Sequence, residues 1–169
     1  MKRNISFATA AATAAATAAV LWLAVPAGAA ATSHPAVSGT EHFQLMVISP
    51  ALTTGRVIVS GVFTAGGTEH VGTKADKLVF PTGTFKAAHS RGIGGKVTLN
   101  HRTCLYTARG FHGRITLSGG TGAYAGISGT GTYHFSELAI LARSGGKCTL
   151  TKPPVSAEFL VRSSASVSL

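Results

Sequence analysis

Length, composition and charge exclude several classes of protein at the outset. The chain has 169 residues, with 15 Lys and Arg against five Asp and Glu, and its formal net charge is +10. A chain of this length forms one domain with a substantial core, and basic residues that are scattered, rather than clustered between aromatic side chains, argue against binding to nucleic acid.

Residues 1–31 have the pattern of a secretory signal peptide. A basic start at Lys2 and Arg3 is followed by an uncharged, Ala-rich stretch. Small residues then predict cleavage after Ala29, with Ala31 as the alternative, and secretion by the general route. Retention of the stretch as a membrane anchor is the other interpretation, because about 20 apolar residues can span a bilayer.

After cleavage, residues 32–40 are expected to form a flexible lead-in and residues 41–169 a single domain with no membrane span. Loss of the two basic residues of the signal peptide lowers the formal net charge from +10 to +8. This charge favours an anionic cell-wall polymer as a partner, beside the simpler interpretation that it keeps the protein soluble.

The first half of the domain has the residue pattern of β-strands. Apolar residues alternate over 41–48, and a β-branched run over 56–64 predicts a strand covered on both faces that ends at Gly66. Residues 77–80 and 83–89 are expected to form either two shorter strands or one bent strand, broken at Pro81 because proline cannot donate to a strand ladder.

The second half continues in the same way, with little helical periodicity. The predicted strands are 96–107, 109–118, 129–138 and 156–162. Residues 140–143 either extend the third of these or begin another strand, and pairing of the tail with the first strand would close the sheet. About eight strands at even spacing predict a sandwich or a barrel, and a closed barrel is favoured because it has no exposed edges.

Two cysteines, Cys104 and Cys148, remain after cleavage. In an exported chain an isolated pair predicts a disulfide. The loop that it closes would have about 45 residues, for which chain entropy gives a stabilisation on the order of 4 kcal/mol. Metal binding by these thiolates is a poor alternative, since no His or Cys lies at ligand spacing beside either of them.

A glycine-dense turn separates the predicted strands 109–118 and 129–138. Gly119, Gly120 and Gly122 stand where one strand must reverse into the next. At least one of them is therefore expected to have a positive φ, which glycine adopts without strain.

The segment Gly119–Gly126, Gly-Gly-Thr-Gly-Ala-Tyr-Ala-Gly, resembles the Gly-Gly-Thr-Gly-x-aromatic turn of the allene oxide cyclase and dirigent superfamily. The wider pattern, with Leu78–Phe85, both cysteines and Lys152–Pro154, is most similar to small exported bacterial proteins of that superfamily. The resemblance implies an eight-stranded, calycin-like antiparallel barrel. Cyclase and dirigent members promote or steer a cyclisation with acidic and polar residues inside the barrel, but only the glycine turn aligns residue by residue.

Glu137 is the candidate for acid–base chemistry. It is in phase with Tyr133 and Phe135, so the three side chains are expected to line a pocket inside the barrel. A carboxyl group in an apolar pocket has a raised pKa and can act as a general acid or base, although acids near strand ends more often reach solvent. Glu41 is in phase with Phe43 and is therefore expected to be a second inward-facing acid. Glu158 is out of phase with Phe159 and is expected to face outward.

Seven histidines raise the question of a metal site, but no two stand at i, i+2 or i, i+4 spacing. His101, His112 and His134 fall on three successive predicted strands, and strand parity does not put them on one wall. The glycine segment lacks the spacing of a phosphate-binding loop. No cofactor is therefore predicted.

These observations predict a secreted, basic β-barrel that is non-catalytic and binds either a small apolar ligand or an anionic cell-envelope component. Barrels of about eight strands either fill their interior with side chains or hold one small ligand. A cyclase-type enzyme acting on a small hydrophobic substrate is one alternative, and a structural or partner-binding envelope protein is the other. An aromatic pocket with a buried carboxyl group would favour the ligand or the enzyme.

Overall fold

The computed structural model describes residues 36–48 and 51–169, so the predicted signal peptide lies outside the described residues. Within those ranges the chain forms strands and one 3-10 helical turn, Gly122–Tyr124, and no α-helix. The strands are β1 (Ser38–Ile48), β2 (Thr54–Ser60), β3 (Ala65–His70), β4 (Ala75–Phe80), β5 (Gly83–His89), β6 (Ile93–Asn100), β7 (Leu105–Ser118), β8 (Ser128–Ile140), β9 (Ala142–Ser144), β10 (Lys147–Thr149) and β11 (Ser156–Ser168).

Eight of these strands close into an antiparallel barrel, in the order β1-β2-β3-β4-β5-β7-β8-β11. The tail of the chain pairs with β1 from Ser38 opposite Ser168 to Ile48 opposite Glu158. Pairing of β5 with the second half of β7 completes the circle. The predicted all-β barrel is therefore confirmed, and β1 begins at Ser38, inside the stretch expected to be a flexible lead-in.

Alternation of buried and exposed residues follows the predicted phase in most barrel strands. In β1 every second residue from Glu41 to Val47 is buried. The prediction for residues 56–64 is wrong, because Ile58 faces outward and is 62% exposed. That strand ends at Ser60, and the residues after it turn back into β3, which contains the glycines expected to terminate the strand.

The single strand predicted over 96–107 is also wrong, because the chain turns between β6 and β7. The Asn100 Oδ1 atom accepts hydrogen bonds from the backbone N–H groups of Arg102 (3.0 Å) and Thr103 (3.2 Å). An Asn side chain bonded to the backbone two residues on is a turn signal. Strands β6 and β7 consequently form a hairpin, whose β7 strand continues into the barrel past a bulge between Ala108 and Phe111.

The disulfide joins this hairpin to the β9–β10 hairpin. Cys104 lies in the β6–β7 turn and Cys148 in β10, and their Cα atoms are 5.4 Å apart. A second, smaller core surrounds the bond and contains Ala139, Leu141 and Ala157. The predicted Cys104–Cys148 disulfide is confirmed.

The glycine turn closes one end of the barrel. Gly119 and Gly122 have φ of +66° and +60°, as expected for at least one glycine there, whereas a Cβ atom at Gly120 would overlap the Tyr124 carbonyl oxygen. The Ala123 N–H donates to the Thr82 carbonyl (2.9 Å), which ties the turn to the β4–β5 connection.

Tyr124 then fills this end of the barrel. Its ring is buried and lies 5.0–5.3 Å, between ring centroids, from Phe63, Phe80 and Phe85. Among the described residues no helix has the length and hydropathy needed to cross a bilayer.

Candidate functional site

A cavity of about 180 Å³ lies inside the barrel, away from the glycine turn. Its apolar wall includes Leu78, Ala87, Ile115, Leu117, Tyr133 and Phe135. On β4 the cavity residue Asp76 is four residues from Phe80 at the closed end, a distance of about 13 Å along a strand. The cavity reaches the surface beside Val71, whose side chain is 37% exposed.

Two carboxyl groups, Glu69 on β3 and Asp76 on β4, line the cavity together and are called the carboxyl pair here. Glu69 is only 2% exposed, and its Oε2 atom has no hydrogen-bond partner. Burial, the charge of Asp76 and a hydrogen bond with the Asp76 side chain raise the pKa of Glu69 to about 8. A group with a pKa of about 8 keeps its proton at neutral pH, so Glu69 supplies the pair with one proton there.

Asp76 and His89 form the outer, more exposed part of this polar group. The Asp76 Oδ1 atom accepts a hydrogen bond from the Gly72 N–H (2.9 Å) and lies 3.6 Å from His89 Nε2. His89 Nε2 is also 3.3 Å from the Gly72 carbonyl oxygen, which can only accept. The imidazole therefore carries its hydrogen on Nε2 and helps to fix the loop after β3 at the mouth of the cavity.

Aromatic side chains complete the wall opposite the carboxyl pair. The Tyr133 hydroxyl donates to the Ser90 carbonyl oxygen (2.7 Å), and burial followed by the charge of Asp76 raises the pKa of this tyrosine. Phe135 stacks on Phe111 at 4.9 Å and contacts Phe159 at 5.2 Å, between ring centroids. The cavity thus combines an apolar, partly aromatic wall with one acidic patch.

The predicted pocket residues Tyr133, Phe135 and Glu137 separate in the structure. The first two line the cavity, as their phase on β8 predicts. Glu137 follows the same phase but lies where β8 has passed the cavity, opposite Ala108 of the β6–β7 hairpin. Burial raises the pKa of Glu137, and its charge adds to burial in raising the pKa of Tyr106.

The other two acids considered from the sequence also lie away from the cavity. Glu41 is fully buried at the closed end, where its Oε2 atom accepts a hydrogen bond from the Phe63 N–H (3.0 Å). Burial raises its pKa, and this hydrogen bond partly offsets the effect. Glu158 is exposed, as its phase predicts.

Sequence reasoning missed the acids that do line the cavity. Asp76 is in phase with Leu78 and lies one residue before the predicted strand 77–80, so extending that strand would have placed it inside. His89 already ends the predicted strand 83–89 and is in phase with Ala87, so parity alone would have placed it inside. Glu69 gave no comparable signal, because β3 carries two glycines and no alternation of apolar residues.

The histidines considered for a metal site do not converge. His112 and His134 are paired across β7 and β8 on the exposed face, with ring centroids 6.0 Å apart, whereas His101 lies in the β6–β7 turn. In residues 36–48 and 51–169 no group of three or more His, Cys, Asp or Glu side chains is placed to hold a metal ion.

Comparison with known proteins adds no family to this description. No protein-family model, no curated protein and no solved structure matches the chain. The likeness of Gly119–Gly126 to the allene oxide cyclase and dirigent turn stays an expectation from sequence, and function has to be inferred from the cavity.

Proposed function

We propose that this protein is a secreted barrel that binds one small, largely apolar ligand in the cavity. The observation that carries the proposal is the space itself, about 180 Å³ inside a closed eight-stranded barrel. Barrels of this size can fill their interior with side chains, as this one does around Tyr124, so space left at the other end favours a ligand.

The volume limits the size of that ligand. A buried apolar cavity of about 150 Å³ is large enough for benzene, so the cavity suits one ring with a short substituent. Burial of about 150–200 Å² of ligand surface contributes roughly 4–5 kcal/mol, which corresponds to a dissociation constant of about 0.1–1 mM for a simple probe.

Benzyl alcohol is a suitable neutral probe, and two alanines on β5 provide matched variants. Ala87 lines the cavity, whereas Ala88 is exposed on the other face of the strand. In calorimetric titrations of the full chain, Ala87→Leu should weaken binding at least about tenfold by filling the space, and Ala88→Leu should leave it unchanged. Equal affinity in both variants, or no binding to the wild type, would refute the proposal.

Proton-transfer catalysis on a small hydrophobic substrate is a second candidate function, favoured by the carboxyl pair. A carboxyl group with a pKa near 8, such as Glu69, can donate and recover a proton near neutral pH. Mass spectrometry of compounds extracted from the secreted protein would supply the substrate. Glu69→Gln should then abolish conversion while the compound still binds, and unchanged conversion would rule out this role.

A cell-envelope role for the basic surface is the remaining proposal from the sequence. Its support is the formal net charge, which is +10 for the full chain and +8 after loss of Lys2 and Arg3, and which favours anionic polymers in general. Sedimentation with purified anionic wall polymer at low and high salt tests it, since binding of this kind should disappear at high ionic strength.

A further inference from the structure

We propose that the ligand of the cavity carries a cationic nitrogen, an ammonium or amidinium group, that pairs with Glu69 and Asp76. This inference rests on the proposed function, because it names the chemistry of the ligand that the cavity would hold. It is carried by the position of the carboxyl pair in the cavity wall and by the absence of Lys and Arg from the part of that wall that the structure describes.

Glu69 is the more deeply buried of the two acids. The side chain is 2% exposed and Oε2 has no hydrogen-bond partner. The carboxyl group lies so close to β2 that a Cβ atom at Gly55 would be 3.0 Å from Oε2, and the backbone there offers it no donor. Oε2 therefore faces β2, and Gly55 is not among the residues that line the cavity, so a ligand would meet the rest of the carboxyl pair rather than this atom.

The charges around the carboxyl pair also favour a cation. The titratable groups that face Glu69 are Asp76 from β4, His89 from β5 and Tyr133 from β8. His89 Nε2 is directed at the Gly72 carbonyl and Asp76, and the Tyr133 hydroxyl donates to Ser90. Neither donor is free to receive an anionic ligand.

The strands that complete the wall add no positive charge. Strands β1, β7 and β11 contribute mainly apolar residues, among them Phe43, Leu45, Ile115, Leu117 and Phe159, together with Ser163. No Lys or Arg lines the part of the cavity that the structure describes. A carboxylate ligand would therefore meet only the negative charge of Asp76. A cation would meet that charge and the faces of aromatic rings, which also attract cations.

The proton held by the carboxyl pair couples cation binding to pH. Burial and Asp76 raise the pKa of Glu69 to about 8, so the pair has one negative charge at pH 6–7 and gains the second above pH 8. A bound cation favours the ionised form and releases the proton. Affinity for a cation should consequently rise with pH across this window, whereas affinity for a neutral ligand of the same shape should not.

Three probes of one shape test the inference in calorimetric titrations of the full chain: benzylamine, benzyl alcohol and benzoate. The amine stays protonated up to pH 8, as a Lys side chain does. At pH 8 benzylamine should bind at least about tenfold more tightly than benzyl alcohol, and benzoate most weakly, because charge-assisted hydrogen bonds are the stronger ones. From pH 6 to pH 8 the affinity for benzylamine should increase severalfold, and that for benzyl alcohol by less than about twofold.

Glu69→Gln and Asp76→Asn should each remove most of the preference for benzylamine and leave benzyl alcohol binding within about threefold of wild type. Retained alcohol binding also shows that the variants are folded. Glu158→Gln, an exposed acid on β11, is the control and should change neither affinity. If the alcohol binds as tightly as the amine, or benzoate binds best, the inference is wrong while the proposed function stands. If none of the three probes binds, both are wrong.

Discussion

Glu69 shows how a single buried side chain can make stability depend on pH. Its pKa is about 8 in the folded protein, against about 4.3 in an unfolded chain. Between these two pH values the folded state holds a proton that the unfolded state has lost. Folding is therefore favoured at the acid end of the window, and stability falls as the pH rises through it.

Replacement of Glu69 by Gln should remove this dependence, because an amide does not titrate. Between pH 5 and pH 8.5 the wild type should lose stability relative to Glu69→Gln, by on the order of 2–4 kcal/mol at about 1.4 kcal/mol for each unit of pKa. Urea unfolding at both pH values measures the difference. Parallel loss in the two proteins would mean that Glu69 is not protonated in the folded state, and Glu158→Gln serves as the exposed control.

Gly122, in the glycine turn, is a position at which a side chain should be among the most damaging single changes. Its φ is +60°, and a Cβ atom would overlap the Thr82 carbonyl oxygen. Gly122→Val should cost about 3 kcal/mol or more, from backbone strain of roughly 1–3 kcal/mol and from the overlap.

Two control variants separate backbone strain from steric overlap in unfolding measurements. Gly126 has φ of +88° with open space around it, so Gly126→Val should show the strain alone. Ser118→Ala, at the exposed end of β7, should change stability by less than about 0.5 kcal/mol. A harmless Gly122→Val would mean that the turn is a tolerant surface loop rather than the closure of the barrel.

At the scale of strands and hairpins, the disulfide fixes the part of the sheet that extends beyond the barrel. Cys104→Ser should lower the free energy of unfolding by roughly 2–5 kcal/mol, because the bond restrains a long loop in the unfolded chain. The expected result in the native, unreduced protein is no labelling of either cysteine by a thiol reagent. Labelling of both would contradict the bond, and so would an unchanged melting temperature in Cys104→Ser.

Most strands could be predicted because apolar and polar residues alternate along a strand that is buried on one face. This alternation showed which residues of β1, β4, β5 and β8 face inward. The turn between β6 and β7 could not be predicted in this way, because residues 96–107 alternate straight through it and the turn depends on local contacts such as those of Asn100. Strand β3 was missed since its two glycines resemble a strand end, although the structure uses them within a strand.

For the molecule as a whole, the sequence predicted the barrel and two of its cavity residues, Tyr133 and Phe135, but not the acids. Phase along a strand says which wall a side chain joins, and it does not say how far along the barrel axis the cavity extends. Glu137 is in phase with Tyr133 and Phe135, but it lies beyond the cavity along the barrel axis, opposite Ala108. Glu69 and Asp76 are neighbours only because β3 and β4 pair, which no single strand reveals.

Secretion is the expectation for the whole chain, and it stays a prediction. Mature protein should be recovered outside the cell membrane with its N-terminus at Ala30 or Thr32, as the small residues before each position indicate. N-terminal sequencing gives the answer. Membrane-bound protein that still begins at Met1 would show that the leader is retained as an anchor.

The central claim is that the barrel is closed at the glycine turn and contains an apolar cavity at its other end. A crystal of the protein under xenon pressure tests it directly, since xenon enters apolar cavities of this size. The account predicts a xenon atom between Leu78, Ala87, Ile115 and Tyr133, and no such atom in Ala87→Leu. Wild-type crystals with no xenon inside the barrel, or with xenon only outside it, would contradict the account.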